Sequence, residues 1–246
     1  MNLRPVLLAL MASIALVAPF HASAETPPAA VTTTIGDAQI ALPILPGFAA
    51  PSATPKTFVD MMARALPATN RLVAIMLRDD FMAKVQAGDV STPLSRYMGV
   101  QTFPAYEQTG MTPALFEQVK TLFRTQSAQL LEKAKATAAT GTDRLSQDVA
   151  KLTGDDSTSI RTGDGSLVGV FDEQPNSISI AALQTVSATT HAGSLQVRQA
   201  MALSSVLIHG KVLVVSVYSN YEAPADIDWA EGQVRTWVRR LNELNP

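Results

Sequence analysis

The stretch His209–Pro246, HGKVLVVSVYSNYEAPADIDWAEGQVRTWVRRLNELNP, decides the fold. Its first half reads as a β-strand rich in β-branched residues. A short loop follows, and from about Asp226, a residue able to cap a helix, the spacing changes to that of an α-helix. Ile227, Ala230, Val234, Trp237, Val238, Leu241 and Leu244 recur every three or four residues and form one apolar stripe. Glu231 stands four residues before Arg235 on the opposite side, a spacing that supports an ion pair on the wet face. Such a stripe has to be buried against something, and the strand before it implies a sheet.

Upstream, the texture from about residue 157 is that of strands divided by turn residues. Asp164-Gly165 signals a type I′ hairpin, Pro175-Asn176 a type I turn, and His209-Gly210 another two-residue hairpin. Strands are therefore predicted at 157–162, 166–172, 177–186, 196–208 and 211–219, an antiparallel meander. Further back, Thr112-Pro113 opens the longest helix. Leu115, Phe116, Val119, Leu122, Phe123, Leu130, Leu131 and Ala134 lie on one side of it, and Gly141 should end it. Residues 142–154 read as a further short helix or helical connection. Arg71–Leu77 (RLVAIML) is apolar on both strand faces, which suits a central strand, with SRYMGVQTF pairing nearby. Pro55 begins a helix with Phe58, Met61, Met62, Ala65 and Leu66 on one face, and Pro67 stops it. TIGDAQIALPIL reads as a hairpin about Gly36-Asp37, whose second arm runs into prolines that confine it to an edge. The predicted class is α+β, an antiparallel sheet ending in a meander with helices packed on it.

The N-terminus carries a different message. Arg4 is the one charge before the apolar run Val6–Ala18, and HASA-E places Ala22 and Ala24 where a signal peptidase needs small residues. A thirteen-residue apolar core is shorter than the roughly 20 residues that a membrane span needs. Residues 1–24 are thus expected to be a signal peptide cleaved between Ala24 and Glu25. Residues 25–34 would be a flexible leader and 35–246 a single α+β domain, periplasmic or secreted, with no integral membrane segment after cleavage. The chain has no cysteine, so disulfides and thiol chemistry are excluded. Removing residues 1–24 takes the formal net charge from −2 to about −3. Nucleic acid is not an expected partner, because polyanion binding rests on clustered Lys and Arg and only Arg235, Arg239 and Arg240 cluster in sequence.

The search for chemistry yields no catalytic, cofactor-binding or metal residues. The mature chain keeps two histidines, His191 in TTHAGS and His209 at a hairpin tip, where histidine tolerates a left-handed backbone. Asp226 and Asp228 lack the spaced run of oxygen ligands that calcium needs, and Asp155-Asp156 reads as a solvated loop. GDGSLVG sits among hairpins, without the strand-then-helix context in which glycines cradle phosphate. There is neither a G-x-S-x-G elbow nor an S-x-x-K. What remains is aromatic. Trp237 belongs to the buried stripe, whereas Tyr218, Tyr221 and Trp229 flank one loop. These three either lock the helix to the strand end or form a binding surface.

The segment LPILPGF (Leu42–Phe48) leading into a helix, together with GKVLVVSVYSNY, DIDW and Trp237 at the C-terminus, resembles the PsbP-like layout. It also resembles exported proteobacterial proteins of unknown role. The PsbP-like resemblance implies an accessory, assembly or binding factor rather than an enzyme. The expected function is accordingly that of an exported, non-catalytic accessory or assembly protein of the cell envelope, with an envelope protein or a small ligand as partner and no cofactor. The alternative is a cofactor-independent periplasmic hydrolase whose site is assembled in space.

Overall fold

The computed structural model describes residues 30–87, 94–191 and 193–246. The expected signal peptide, its Ala24/Glu25 junction and residues 25–29 of the expected leader lie outside these residues. Strands β1 (Ala30–Ile35) and β2 (Ala38–Pro43) form a hairpin turning on Gly36 and Asp37. Residues 30–34, expected in a flexible leader, are thus ordered as β1. The reason is burial: Ile35, Ile40 and Leu42 are fully enclosed, and pairing with β2 satisfies the backbone of β1.

The main body is a six-stranded antiparallel sheet in the order β3-β4-β8-β7-β6-β5. Its strands are β3 (Arg71–Leu77), β4 (Arg96–Thr102), β5 (Ser159–Gln174), β6 (Ser177–Thr190), β7 (Gly193–Ile208) and β8 (Lys211–Asn220). With helices α1 (Lys56–Ala65), α2 (Asp79–Gln86), α3 (Pro104–Glu107), α4 (Pro113–Thr153) and α5 (Pro224–Leu244), the class is α+β as the sequence indicated. The meander turns at Pro175-Asn176 and His209-Gly210 are present. His209 (φ 48°) and Gly210 (φ 74°) are both left-handed, as a type I′ turn requires.

Three local expectations are overturned by tertiary contacts. Asp164-Gly165 makes no hairpin. The chain continues as one strand, β5, whose register against β6 slips between Thr162 and Gly165, so the extra residue forms a bulge. Gly141 does not end α4, which runs on to Gly154, a left-handed cap at φ 68°. The helix tolerates Gly141 because α1 crosses there: a β-carbon at this position would lie 2.0 Å from the carbonyl oxygen of Ala65. The segment 142–154, read as a separate helical piece, is the end of α4. Within α4, Phe116 is buried as expected but Leu115 and Leu122 are exposed, and the side chains of Leu130, Leu131 and Ala134 lie outside the description.

The third correction concerns Arg71–Leu77, which is the edge strand β3 rather than a central one. It is apolar on both faces because both are covered. Ala74 and Met76 face the layer of α5 and the β1–β2 hairpin, whereas Ile75 and Leu77 face α1 and α2. Its outer edge is covered too. Ala49 N–H donates to Leu77 O (2.9 Å), Asp79 N–H to Gly47 O (3.1 Å) and the Thr54 hydroxyl to Ile75 O (3.2 Å). Those bonds cover the C-terminal half of the edge, which shortens the ladder open to aggregation.

Helix α5 lies on one sheet face with Ala230, Val234, Trp237, Val238 and Leu241 buried. The stretch of β6 and β7 on that face carries the small residues Ser179, Ala181, Ala202 and Ser204, which leave room for a large side chain above. Trp237 is fully buried, and its indole N–H donates to Pro43 O at 3.1 Å. Trp229, in the first turns, is half-buried. Urea denaturation of Trp237→Ala is expected to show a loss of about 3–5 kcal/mol, the range for removing a large enclosed aromatic. Trp229→Ala is expected to lose clearly less, and equal losses would contradict the difference in burial.

Candidate functional site

The loop singled out by sequence joins the end of β8 to the start of α5, and β4 begins beside it. Antiparallel pairing sets Arg96 opposite Ser219 and Tyr97 opposite Tyr218. Because side chains alternate along a strand, these two pairs leave the sheet on opposite faces. Tyr97 and Tyr218 point toward the α1–α2 side and stack, with ring centroids 4.5 Å apart and planes 12° from parallel. Burial raises both phenol pKa values. The neighbouring Tyr218 adds to the effect at Tyr97, and a hydrogen bond with Ser216 opposes it at Tyr218. The pair stays neutral and structural.

Arg96 points to the α5 side. Its guanidinium lies 4.3 Å from the Trp229 ring centroid, donates to Asp226 Oδ1 at 3.0 Å, and through Nε to the Ser219 hydroxyl at 3.1 Å. Trp229 stacks in turn on Phe48 at 6.4 Å, and Arg78 sits 5.6 Å from the Phe48 ring. Two stacked rings therefore lie between two cations in one row: Arg96, Trp229, Phe48, Arg78. Tyr221 lies at the other flank, with the exposed Arg198 guanidinium 4.9 Å from its ring and its own N–H donating to Arg198 O at 2.7 Å. The three expected aromatics are thus divided: Tyr221 and Trp229 flank the loop on the α5 side, and Tyr218 is on the far side of the sheet. Arg96, Arg198, Phe48 and Arg78 were missed, and only strand parity around Arg96 could have pointed to the first of them.

Asp226 is the hinge of this junction. It is the third residue of α5 rather than its cap, and its Oδ2 accepts from the N–H groups of Glu222 (2.9 Å) and Ala223 (3.1 Å). Those backbone bonds, with Arg96, hold its carboxyl below the usual range against the opposing effect of burial.

The remaining sequence candidates take structural posts. His209 occupies its turn with Nε2 3.4 Å from Pro246 O, and His191 lies in the β6–β7 turn with its N–H donating to Asp155 at 2.9 Å. Asp155 is more than a solvated loop residue. Bonds from Ser157 and from that His191 N–H lower its pKa and brace the turn. Among the described residues no three His, Asp or Glu side chains converge as a metal group would. The sequence cluster of Arg235, Arg239 and Arg240 is dispersed: Arg235 bonds Glu231 and Phe171 O, Arg240 pairs with Glu243, and Arg239 faces a cleft of about 400 Å³ beside Gln174 and Asn242. No described helix is long and apolar enough to cross a membrane.

Because the folded pKa of Asp226 is depressed, its contribution to stability is complete above the unfolded carboxyl value near 4 and is lost as pH falls through the folded value. Asp226→Asn is therefore expected to cost about 1 kcal/mol at pH 7, within the usual worth of a capping carboxylate. The gap from wild type should close as pH falls through the folded value in denaturant titrations. A gap independent of pH would show that the charge is idle.

Comparison with known proteins gives little. No protein-family model matches the chain, and no curated protein does. Two solved structures align. One is the Saccharomyces cerevisiae Ran-binding protein Mog1p, at 12% identity and a TM-score of 0.32, covering 86% of this chain and 94% of that one. The other is a mutant form of Mog1, with the same identity and coverage and a TM-score of 0.33. Likeness at that level carries neither ligand nor role across to this chain.

Proposed function

We propose that this chain is an exported, non-catalytic accessory or assembly protein of the bacterial cell envelope, and that the β8–α5 junction is its protein-binding surface. The observation that carries the reading is the stacking of guanidinium groups on aromatic rings about one loop: Arg96 on Trp229 and Arg198 on Tyr221. Tyr, Trp and Arg are the residues that dominate protein–protein recognition energy. The loop is also braced, by Asn220 N–H to Ser95 O (2.9 Å) and by Tyr221 N–H to Arg198 O, so little ordering entropy remains to be lost on binding. Export rests on the apolar run and small-residue cleavage pattern of residues 1–24, and the PsbP-like layout agrees with an accessory role. The hydrolase alternative gains no support from the histidines, both of which hold turns.

Two measurements test this. Intact mass of the exported protein should place its N-terminus at Glu25, and a chain retaining Met1 in the membrane fraction would defeat the soluble-envelope reading. A photo-crosslinker at Tyr221 should give a discrete adduct in cells that Arg198→Ala abolishes while the melting temperature stays within about 2 °C, as for surface substitutions generally. The same adduct from a crosslinker at Glu243 would remove the junction as the surface.

A further inference from the structure

A second surface feature lies far from that loop, at the crossing of α1 and α4. Gly141 brings the helices into contact at Ala65, and residues of both line a cleft of about 480 Å³. It is lined by Leu66, Pro67 and Ala68 after α1, by Arg64 of α1, and by Arg144, Asp148 and Lys151 of α4. Asp148, whose side chain is 15% exposed, is bound to Arg64 Nε at 2.8 Å, so that carboxylate is neutralised. Arg144 reaches the Arg64 carbonyl at 3.5 Å, where it offsets the negative C-terminal end of α1. Its guanidinium has no carboxylate partner among the described residues, and Lys151 has neither a hydrogen-bond nor an ion-pair partner among them.

The cleft therefore holds three cations against one anion, in a chain whose net charge is negative. Arg144 and Lys151 are seven residues apart on one helix, about 10 Å along its axis, with Arg64 facing them across the cleft. That row matches a ligand with two or more anionic groups better than a single one. We propose that the α1–α4 cleft binds a small polyanion, a compact phosphate- or carboxylate-bearing solute. The volume suits such a molecule, and the Arg144 guanidinium and Lys151 ammonium, neither paired with a carboxylate among the described residues, are groups of the kind that recognise it.

The test is calorimetric titration of the purified protein with pyrophosphate, with citrate and with acetate, all at one ionic strength so that general screening is constant. Pyrophosphate is expected to bind saturably and at least about tenfold more tightly than acetate, a gap of about 1.4 kcal/mol. Citrate matching pyrophosphate would assign recognition to charge number, and pyrophosphate alone to phosphate chemistry; either supports the site. The double variant Arg144→Ala/Lys151→Ala should lose that binding by tenfold or more while its ligand-free melting temperature is unchanged, since both side chains are exposed. Arg239→Ala, at the other cleft, should bind as wild type. Saturation no tighter than acetate, or binding undiminished in the double variant, overturns the proposal.

Discussion

The closure of the β1–β2 hairpin against α5 is the constraint on which the rest of the structure depends. The hairpin shares no ladder with the six-stranded sheet and is held by side chains. The Trp237 indole takes the Pro43 carbonyl, which satisfies its single donor and permits full burial. Asn245 presents its carboxamide to β2 as another strand would: Ala41 N–H donates to its Oδ1 and its Nδ2 donates to Ala41 O, both at 2.9 Å. With these polar groups satisfied, Ile35, Ile40 and Leu42 can be enclosed with Val234, Val238 and Leu241 in one core. Removing either side would leave buried polar atoms without partners, which is costlier than never burying them.

The hairpin tip is fixed by a second device. Lys211, at the start of β8 and 4% exposed, sends Nζ to Glu107 O (2.6 Å) and to Asp37 Oδ1 (2.7 Å). Asp37 is held below its usual pKa chiefly by that Lys211 bond. Gly36 makes the approach feasible, because a β-carbon there would fall 1.8 Å from Glu107 O, and its φ of 60° suits glycine. An enclosed ammonium is tolerated only with such partners, so the network specifies one position for the tip.

What the sequence disclosed and what it hid follow from range. The α5 stripe, the Pro175-Asn176 turn and the left-handed His209-Gly210 turn are local matters of spacing and backbone preference, and all three were legible. Asp164-Gly165 sent an equally strong local signal, yet pairing along β6 outweighed it and left a bulge. Gly141 looked like a helix stop because nothing nearby in sequence announces Ala65, the residue that needs the space. At the candidate site, proximity in sequence misled: Tyr218 and Tyr221 lie three residues apart, but alternation along β8 sends Tyr218 to the opposite face. The cationic cleft was invisible for the same reason, since Arg64 and Asp148 stand 84 residues apart.

The clamp between Asn245 and Ala41 spans 204 residues. A growing polypeptide makes β1 and β2 long before the helix end that closes over them. The main core therefore cannot be sealed while synthesis is under way. Until residue 245 is free, the hairpin's apolar face has no lid. Closing this core is therefore a late step, with the slow, long-range character that such distant contacts impose. Any machinery that must handle the chain unfolded has that full interval in which to act.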